Sequence, residues 1–424
     1  GVYVFHTEGA SGHDGLQILY ADGHTAMFLQ SDTDANTYVP IHMVDPTLSP
    51  NNFDVIKREG SEYVLYRNGA INSLERERFD AEGRLVEISD RHGNLITLTY
   101  SGKLLTRVEN ASGRWLQYSY EDGKVTQVTM PEILMPGDTE PKEVTLSYEY
   151  SGDLLTAFVD GNGHRTQYLY DANGQLSTII TPKGHPSVRV EYYPQTLRAY
   201  KQTLGASEQY TFEYTEDANE EIILTSMSDA YNNLTLHYYD DQVRLVKIVH
   251  PDSSTEEFGY DADFNRIDYQ DEEGAEWHYT YDGRGNRLTE SGPLGQYREW
   301  TYNPQNRVTR LVEQVNSSTT RQFTFDYDAN DNLVKACVPL GDCATTVYEG
   351  RGLPVELVDL AGNPTTRTYY GTTGNFFAIG DLETEINAVG AITRFVRYDG
   401  LGRVTSMQRP GGQTYTYTYD AKNL

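Results

Sequence analysis

Cysteine is nearly absent: the 424 residues contain two, Cys337 and Cys343. That excludes a disulfide-dense scaffold and leaves no Cys/His spacing for a zinc site. No signal peptide or transmembrane run is visible. Cations are scarce, with 34 Lys+Arg against 62 Asp+Glu and a net charge of −28. The basic footprint of a nucleic-acid binder is missing, and an anionic lipid surface would repel the chain. Hydrophobic residues make up 38% of the sequence and mean hydropathy is −0.60. That is too polar for a deep core and suits a thin sheet with a wet face. Amphipathic helices of ordinary length are lacking as well.

What the chain has is tyrosine, 34 of them, and many recur on a beat. Tyr239, Tyr260, Tyr281 and Tyr302 stand 21 apart. After a step of 25 come Tyr327, Tyr348 and Tyr369, and after one of 29 come Tyr398 and Tyr419. The next residue is usually aspartate, as at Asp240, Asp261, Asp282, Asp328, Asp399 and Asp420. Such a period marks a repeat architecture. Ordered tyrosine spacing also excludes a disordered, low-complexity chain.

One unit, YDGRGNRLTESGPLGQYREW from Tyr281 to Trp300, reads as a β-hairpin. Aspartate caps the turn by accepting backbone N–H bonds, and glycine supplies positive φ. The flanking runs alternate polar and apolar residues. Thr414 to Tyr419 is the clearest strand, with three tyrosines on one face and three threonines on the other. A lone hairpin cannot bury enough surface to persist, so the unit works only in series.

The series extends upstream through Tyr214, Tyr192, Tyr170-Asp171, Tyr150, Tyr120 and Tyr100 to Phe79-Asp80. Residues 76–424 therefore form a repeat sheet, and residues 1–75 a divergent β-hairpin region. In that region Asp22-Gly23 and Asn68-Gly69 signal tight hairpin turns. Pro131, Pro136 and Pro141 mark a longer loop inside a repeat. The chain begins at Gly1 and breaks off at Leu424 where a strand is due. It reads as a piece of a longer polypeptide, with any export signal upstream.

Chemistry is hard to find. The histidines are scattered and read as surface or strand residues. Carboxylate pairs such as Glu256-Glu257 and Glu272-Glu273 are too common to single out a glycosidase pair. Asp32-x-Asp34-x-Asn36 begins like a calcium loop, but Thr37 and Met43 stand where glycine and glutamate are needed. Glycine-rich stretches precede strands, not the helix N-terminus that a phosphate cradle requires. No catalytic residue, cofactor or metal site is assigned. Cys337 and Cys343 flank the central turn of one hairpin, where a disulfide and two free thiols are both compatible with the spacing.

The motifs YDANGQL (170–176), YDGRGNRL (281–288), YDANDNLV (327–334) and YDGLGRV (398–404) resemble the Rhs/YD-repeat family. The resemblance covers about residues 75–424 and implies a strip of β-hairpins spiralling into a hollow shell. In bacterial members such a shell encloses a C-terminal toxic domain, and in teneurin-like proteins it serves adhesion. The family's autoproteolytic core segment has no counterpart here. Tyr302-Asn303, Tyr348-Glu349 and Tyr369-Tyr370 depart from the Tyr-Asp pair.

The sequence thus predicts an all-β protein: tandem YD hairpins in an extended curved sheet, part of a spiral β-shell. The expected role is non-enzymatic encapsulation of a C-terminal toxin domain, carried on the same polypeptide or on a partner subunit. The expected setting is secreted or cell-surface, in competition between bacteria. The alternatives are a cell-surface module binding carbohydrate or protein through exposed tyrosines, and a β-solenoid or propeller enzyme acting on polysaccharide. Nucleic acid and membrane insertion are not expected.

Overall fold

A computed structural model describes residues 3–8, 14–19, 25–40, 54–67, 74–135, 137, 139–194, 196–316 and 318–421. Its smallest element is the turn. Asp282 Oδ1 accepts the backbone N–H groups of Arg284 and Asn286, both at 2.9 Å, while Oδ2 takes the Asn286 amide. The Asp282 N–H bonds the Asn286 carbonyl, and Gly285 lies at φ 79°. The next residue upstream, Tyr281, sits at a bulge. One side chain thus satisfies two donors that a reversing chain would otherwise leave to water. Asp171, Asp240, Asp261, Asp328 and Asp399 cap in the same way, at 2.9–3.0 Å.

The turn tolerates other residues at two positions. Glycine is not required at the left-handed position, because Val243 (φ 60°), Phe264 (φ 64°), Asn306 and Asp331 occupy it as well. The departures from Tyr-Asp also keep the geometry. Asn303 caps like aspartate, and Glu349 closes the same backbone turn without a side-chain cap. Only Tyr370 opens a different path. Residues 370–381 form an excursion in which the Tyr370 and Phe377 rings stack at 3.8 Å, and this accounts for the 29-residue step. The 25-residue step comes from longer strands, Val308–Asn316 and Thr319–Tyr327.

The repeated tyrosine has a specific task. The hydroxyls of Tyr100, Tyr120, Tyr170, Tyr260, Tyr281, Tyr302, Tyr348, Tyr369 and Tyr419 each donate to the carbonyl 15 residues upstream, at 2.7–3.1 Å. Tyr327 and Tyr398 do the same across 19 and 16 residues. Each ring therefore reaches across to its neighbouring repeat and pins it by a hydrogen bond, which phenylalanine could not do. Tyr239 ends its strand, Leu234–Tyr239, without making this bond. Arginine adds a second link. Arg244 and Arg403 pair with the aspartate of their own turn and donate onward to the carbonyls of Asp261 and Asp420 in the next.

Stacking these units gives one antiparallel sheet of 37 strands among the described residues. Pairing follows chain order throughout, from Tyr3–Glu8 against Asp14–Leu19 to Val404–Gln408 against Thr414–Thr416. The 3-10 segment Pro293–Gly295 is the helical element that lies wholly within the described residues. The strand expected over 414–419 is assigned for Thr414–Thr416 alone, because it lies at the sheet edge with one partner. Pro131 belongs to the strand Lys124–Ile133, at an irregular step in the pairing, not to the loop that follows. The hairpin over 18–28 is present, although its Asp22-Gly23 turn lies outside the described residues. So does Asn68-Gly69, while Tyr66 lies opposite Arg76.

True burial is confined. Leu16, Ile18, Phe28, Tyr38, Ile56, Tyr63, Leu65, Phe79 and Leu85 form one core over the first strands. Between residues 158 and 377 only Tyr279 and Val312 are buried hydrophobics. The accessible surface is 24488 Å², against about 16,000 Å² for a compact protein of this mass. The sheet is a thin wall wetted on both faces.

Replacing Tyr281 by phenylalanine should cost about 1 kcal/mol in urea unfolding, the value of one hydrogen bond with its carbonyl left unpaired. Val243→Gly should stabilise by about 1 kcal/mol by relieving left-handed strain. Burial, first among the causes, pushes the phenols of Tyr281, Tyr302, Tyr327 and Tyr369 above the ordinary value. A raised pKa contributes stability that is present below about pH 10 and is lost as pH climbs through the folded value. Tyrosinate absorbance near 295 nm should therefore lag behind free tyrosine and then rise together with loss of β circular dichroism.

Candidate functional site: a rim-to-rim seam

Because the strands alternate in direction, the turns fall on two rims. The tyrosine turns form one rim. The second turn of each unit, such as Asp90–Asn94, Asn110–Arg114 and Asp160–His164, forms the other and uses the same bonding scheme. The two rims meet. The Asn94 amide donates to the Arg351 carbonyl at 3.0 Å, and Arg114 Nη2 reaches both oxygens of Asp381 at 2.8 Å. The Gly400 N–H bonds the Glu132 carbonyl, and the Ala421 N–H bonds Asn162 Oδ1, both at 3.0 Å.

The partners lie 257, 267 and 259 residues apart for Asn94, Arg114 and Asn162, and the docking order follows the chain. Twenty-three strands, Leu95–Ser101 through Cys343–Tyr348, separate the turn at Asp90 from the turn at Gly352. The same number separates Arg114 from residues 370–381, Glu132 from Gly400, and Asn162 from Ala421. The strip thus completes a revolution every 23 strands, and its tyrosine rim settles on the opposite rim of the revolution before.

The seam is polar at its ends and apolar in the middle. Met130, Ile133, Val144 and Ala421 are buried there, with Leu116, Met135, Leu146 and Leu401 against them. Asp381 is 8% exposed and Arg114 20%. Asp381 also accepts the Ala378 N–H at 2.8 Å, so its charge is met on two sides. The Tyr398 phenol is pushed well above the ordinary value, chiefly by burial and then by the Asp381 charge. Beside the seam lies a cavity of about 550 Å³ bordered by Ile88, Leu95, Leu353 and Ile379, with Arg67, Arg76 and Arg351 at its edges.

Two glycines show how close the rims come. Gly161 and Gly400 do not have left-handed backbones, so turn geometry does not demand glycine at either position. A Cβ on Gly400 would fall 2.6 Å from the Glu132 carbonyl oxygen, and one on Gly161 would fall 2.6 Å from Ala421 Cβ. Gly283 holds the matching place in its turn and has nothing within 4 Å.

Of the residues singled out in sequence, Asp328, Asp399, Asp420 and the turns after Tyr327, Tyr348, Tyr369, Tyr398 and Tyr419 border the seam. Tyr170-Asp171 and Tyr239 through Tyr302 stabilise the strip away from it. His92, read in sequence as a surface or strand residue, lies in the seam. Its side chain is 7% exposed, Nε2 donates to Asn332 Oδ1 at 2.8 Å, and Gly352 lies against its ring. Sequence reasoning missed Arg114, Asp381 and Asn162, whose local patterns match turns elsewhere. Cys337 and Cys343 face each other in register and are joined by a disulfide, with Cα atoms 4.0 Å apart. The rung tyrosines are half-buried with their hydroxyls committed, and Tyr231, 85% exposed, is the ring most open to solvent among those described. No helix is long and apolar enough to cross a membrane among the described residues.

Comparison with known proteins agrees with this architecture. Residues 73–191 match the family described as Teneurin YD-shell. The probable deoxyribonuclease RhsB of Dickeya dadantii is 22% identical over 375 residues, covering 87% of this chain and 23% of that protein. Teneurin-1 of Mus musculus is 23% identical over 313 residues, covering 69% of this chain and 10% of that one. The crystal structure of TcdB2-TccC3-TEV aligns over 95% of this chain and 26% of its own, with TM-score 0.42 and 11% identity. The chain therefore spans less than a quarter of the length of the curated relatives named. The resemblance to the Rhs/YD-repeat shells is borne out.

Gly400→Ala should loosen the seam by about 1–3 kcal/mol, the range for overpacking, while Gly283→Ala at the same turn position stays within about 0.5. Hydrogen exchange reads the difference as faster exchange at residues 130–135 and 399–402 only. Arg114→Ala, which strands a buried carboxylate, should cost about 3 kcal/mol and expose the 370–381 excursion in the same assay.

Proposed function

We propose, on its resemblance to the Rhs/YD-repeat shells, that the chain is a segment of containment wall, secreted or displayed outside the cell, that encloses a toxic domain. The domain would be carried on the same polypeptide or on a partner subunit. The observation that carries this reading is the seam. A strip of hairpins left open has two rims and cannot retain anything. Rims that dock after each revolution make a continuous partition.

The size of the revolution supports a hollow interior. Closed barrels of 16–18 strands already leave an aqueous channel. Twenty-three strands spaced about 4.8 Å apart give a perimeter of about 110 Å and a diameter of about 35 Å. Inward side chains, about 5 Å deep on each side, leave a bore of about 25 Å. The scarcity of buried side chains between residues 158 and 377 fits a wall around space.

The word nuclease in the name of the Dickeya relative belongs to a protein nearly four times as long. A segment with net charge −28 has no affinity to offer a polyanion. Its role here is containment without catalysis. Cryo-electron microscopy of the full-length protein that contains this segment tests the reading. The expected result is an enclosed cavity bounded by this wall, with the turns at Gly400 and Glu132 in contact. A solid interior, or two rims lying apart in solvent, would overturn it.

A further inference from the structure

Outside the seam, one cluster of side chains has no part in holding the wall. His250 opens the turn 250–254, Glu256 lies on the strand Thr255–Tyr260, and Glu272 lies in the turn 271–275 on the same rim. His250 Nε2 is 3.0 Å from Glu256 Oε1 and 3.2 Å from Glu272 Oε1, and all three donor atoms lie within 4.8 Å of one another. Glutamate pairs at these positions looked uninformative in sequence, because nothing local shows that two of them share a histidine.

Hydrogen bonding accounts poorly for this arrangement. An imidazole nitrogen carries at most one proton, which two carboxylates can share only as a weaker three-centre bond. Elsewhere the chain matches its glutamates with arginine or lysine, as in Arg165–Glu149, Lys247–Glu257 and Arg367–Glu385. Among the described ion pairs, Glu256 and Glu272 meet only His250. Two negative charges thus face one neutral or singly charged ring. The free oxygen of Glu256 is fixed from behind, since the Tyr269 hydroxyl donates to Oε2 at 2.8 Å and leaves Oε1 facing the ring. Such outer hydrogen bonds are how ligating carboxylates are oriented. That bond is the main reason the Tyr269 phenol is pushed up to about 12.

We propose that His250, Glu256 and Glu272 form a binding site for a divalent transition-metal cation, with zinc the best fit. Zinc takes imidazole nitrogen at about 2.0–2.1 Å and carboxylate oxygen at about 2.0–2.2 Å in tetrahedral geometry, which sets neighbouring donors about 3.3 Å apart. The observed spacings from the ring nitrogen are 3.0 and 3.2 Å, so little movement is needed. The cation neutralises the two carboxylates, and water fills the fourth position. Magnesium and calcium favour all-oxygen shells of six or more ligands and fit less well. Bound metal would staple two neighbouring turns of one rim.

Zinc titration of the chain by calorimetry, with melting temperature followed in parallel, tests the site. The expected result is one saturable equivalent of zinc and a rise in melting temperature. Cobalt(II) should bind with the intense visible absorption of a tetrahedral centre. His250→Ala and Glu272→Gln should each lose this equivalent, and Tyr269→Phe should weaken it about 10-fold. His164→Ala, on an exposed ring at another turn, should leave it intact, and circular dichroism should show every variant folded. No saturable binding at micromolar zinc, or binding unchanged in both His250→Ala and Glu272→Gln, would overturn the proposal.

Discussion

Everything in this wall depends on the approach of two backbones, one from each rim, to within hydrogen-bond distance. Gly400 N to Glu132 O at 3.0 Å leaves no room for a side chain. Once the rims touch there, the neighbouring turns are registered as well, because Asn94, Arg114, Glu132 and Asn162 all meet partners 23 strands on. The Arg114–Asp381 pair then acts as a charged clasp, and Met130, Ile133, Val144 and Ala421 exclude water between the rims. A shift by one repeat would strand the Asp381 carboxylate and place Val144 against a polar turn.

The strip itself is held by a different principle. With few fully buried side chains, it cannot rely on a packed core. It substitutes a directional bond at most repeats, the tyrosine hydroxyl to a carbonyl one hairpin back. The aromatic ring covers the neighbouring strand while the oxygen fixes its register. Stability is then a sum over near neighbours, as expected of quasi-one-dimensional repeats. The disulfide at Cys337–Cys343 reinforces a single hairpin and is not part of that ladder. The compact core at residues 16–85 is the exception, and Phe79, the first of the motif series, sits inside it. A ring buried in a dry core has less use for a hydroxyl.

A continuous wall follows from these two levels together. Local bonds make the sheet continuous, and the seam joins its two rims. Negative charge spread through the turns is largely consumed in capping. Asp229 and Asp359 are held below the usual carboxylate range by the amides of Asn233 and Asn363 and by backbone N–H groups. Their contribution to stability is present above about pH 4 and is lost as pH falls through the lower folded values. The acidic composition is therefore a structural requirement of the turns before it is a property of the surface.

The sequence by itself determined the hairpin, its turn chemistry and its serial stacking, because those bonds join residues two to about fifteen positions apart. Tyr281 reaches Arg266 and Asp282 reaches Asn286, and both intervals repeat often enough to read. Tertiary structure alone decided where the strip meets itself. Asn94 and Arg351, or Asn162 and Ala421, carry no pattern that links them across more than 250 residues. Gly161, Gly400 and Gly283 occupy the same place in their turns, and only the neighbours opposite distinguish them. His92 and His250 looked alike in the chain as well. Stacking of adjacent turns set His250 between two carboxylates, and curvature carried His92 into the seam, because the path of a sheet over many strands accumulates from twist and bulge at every step and not from any single residue.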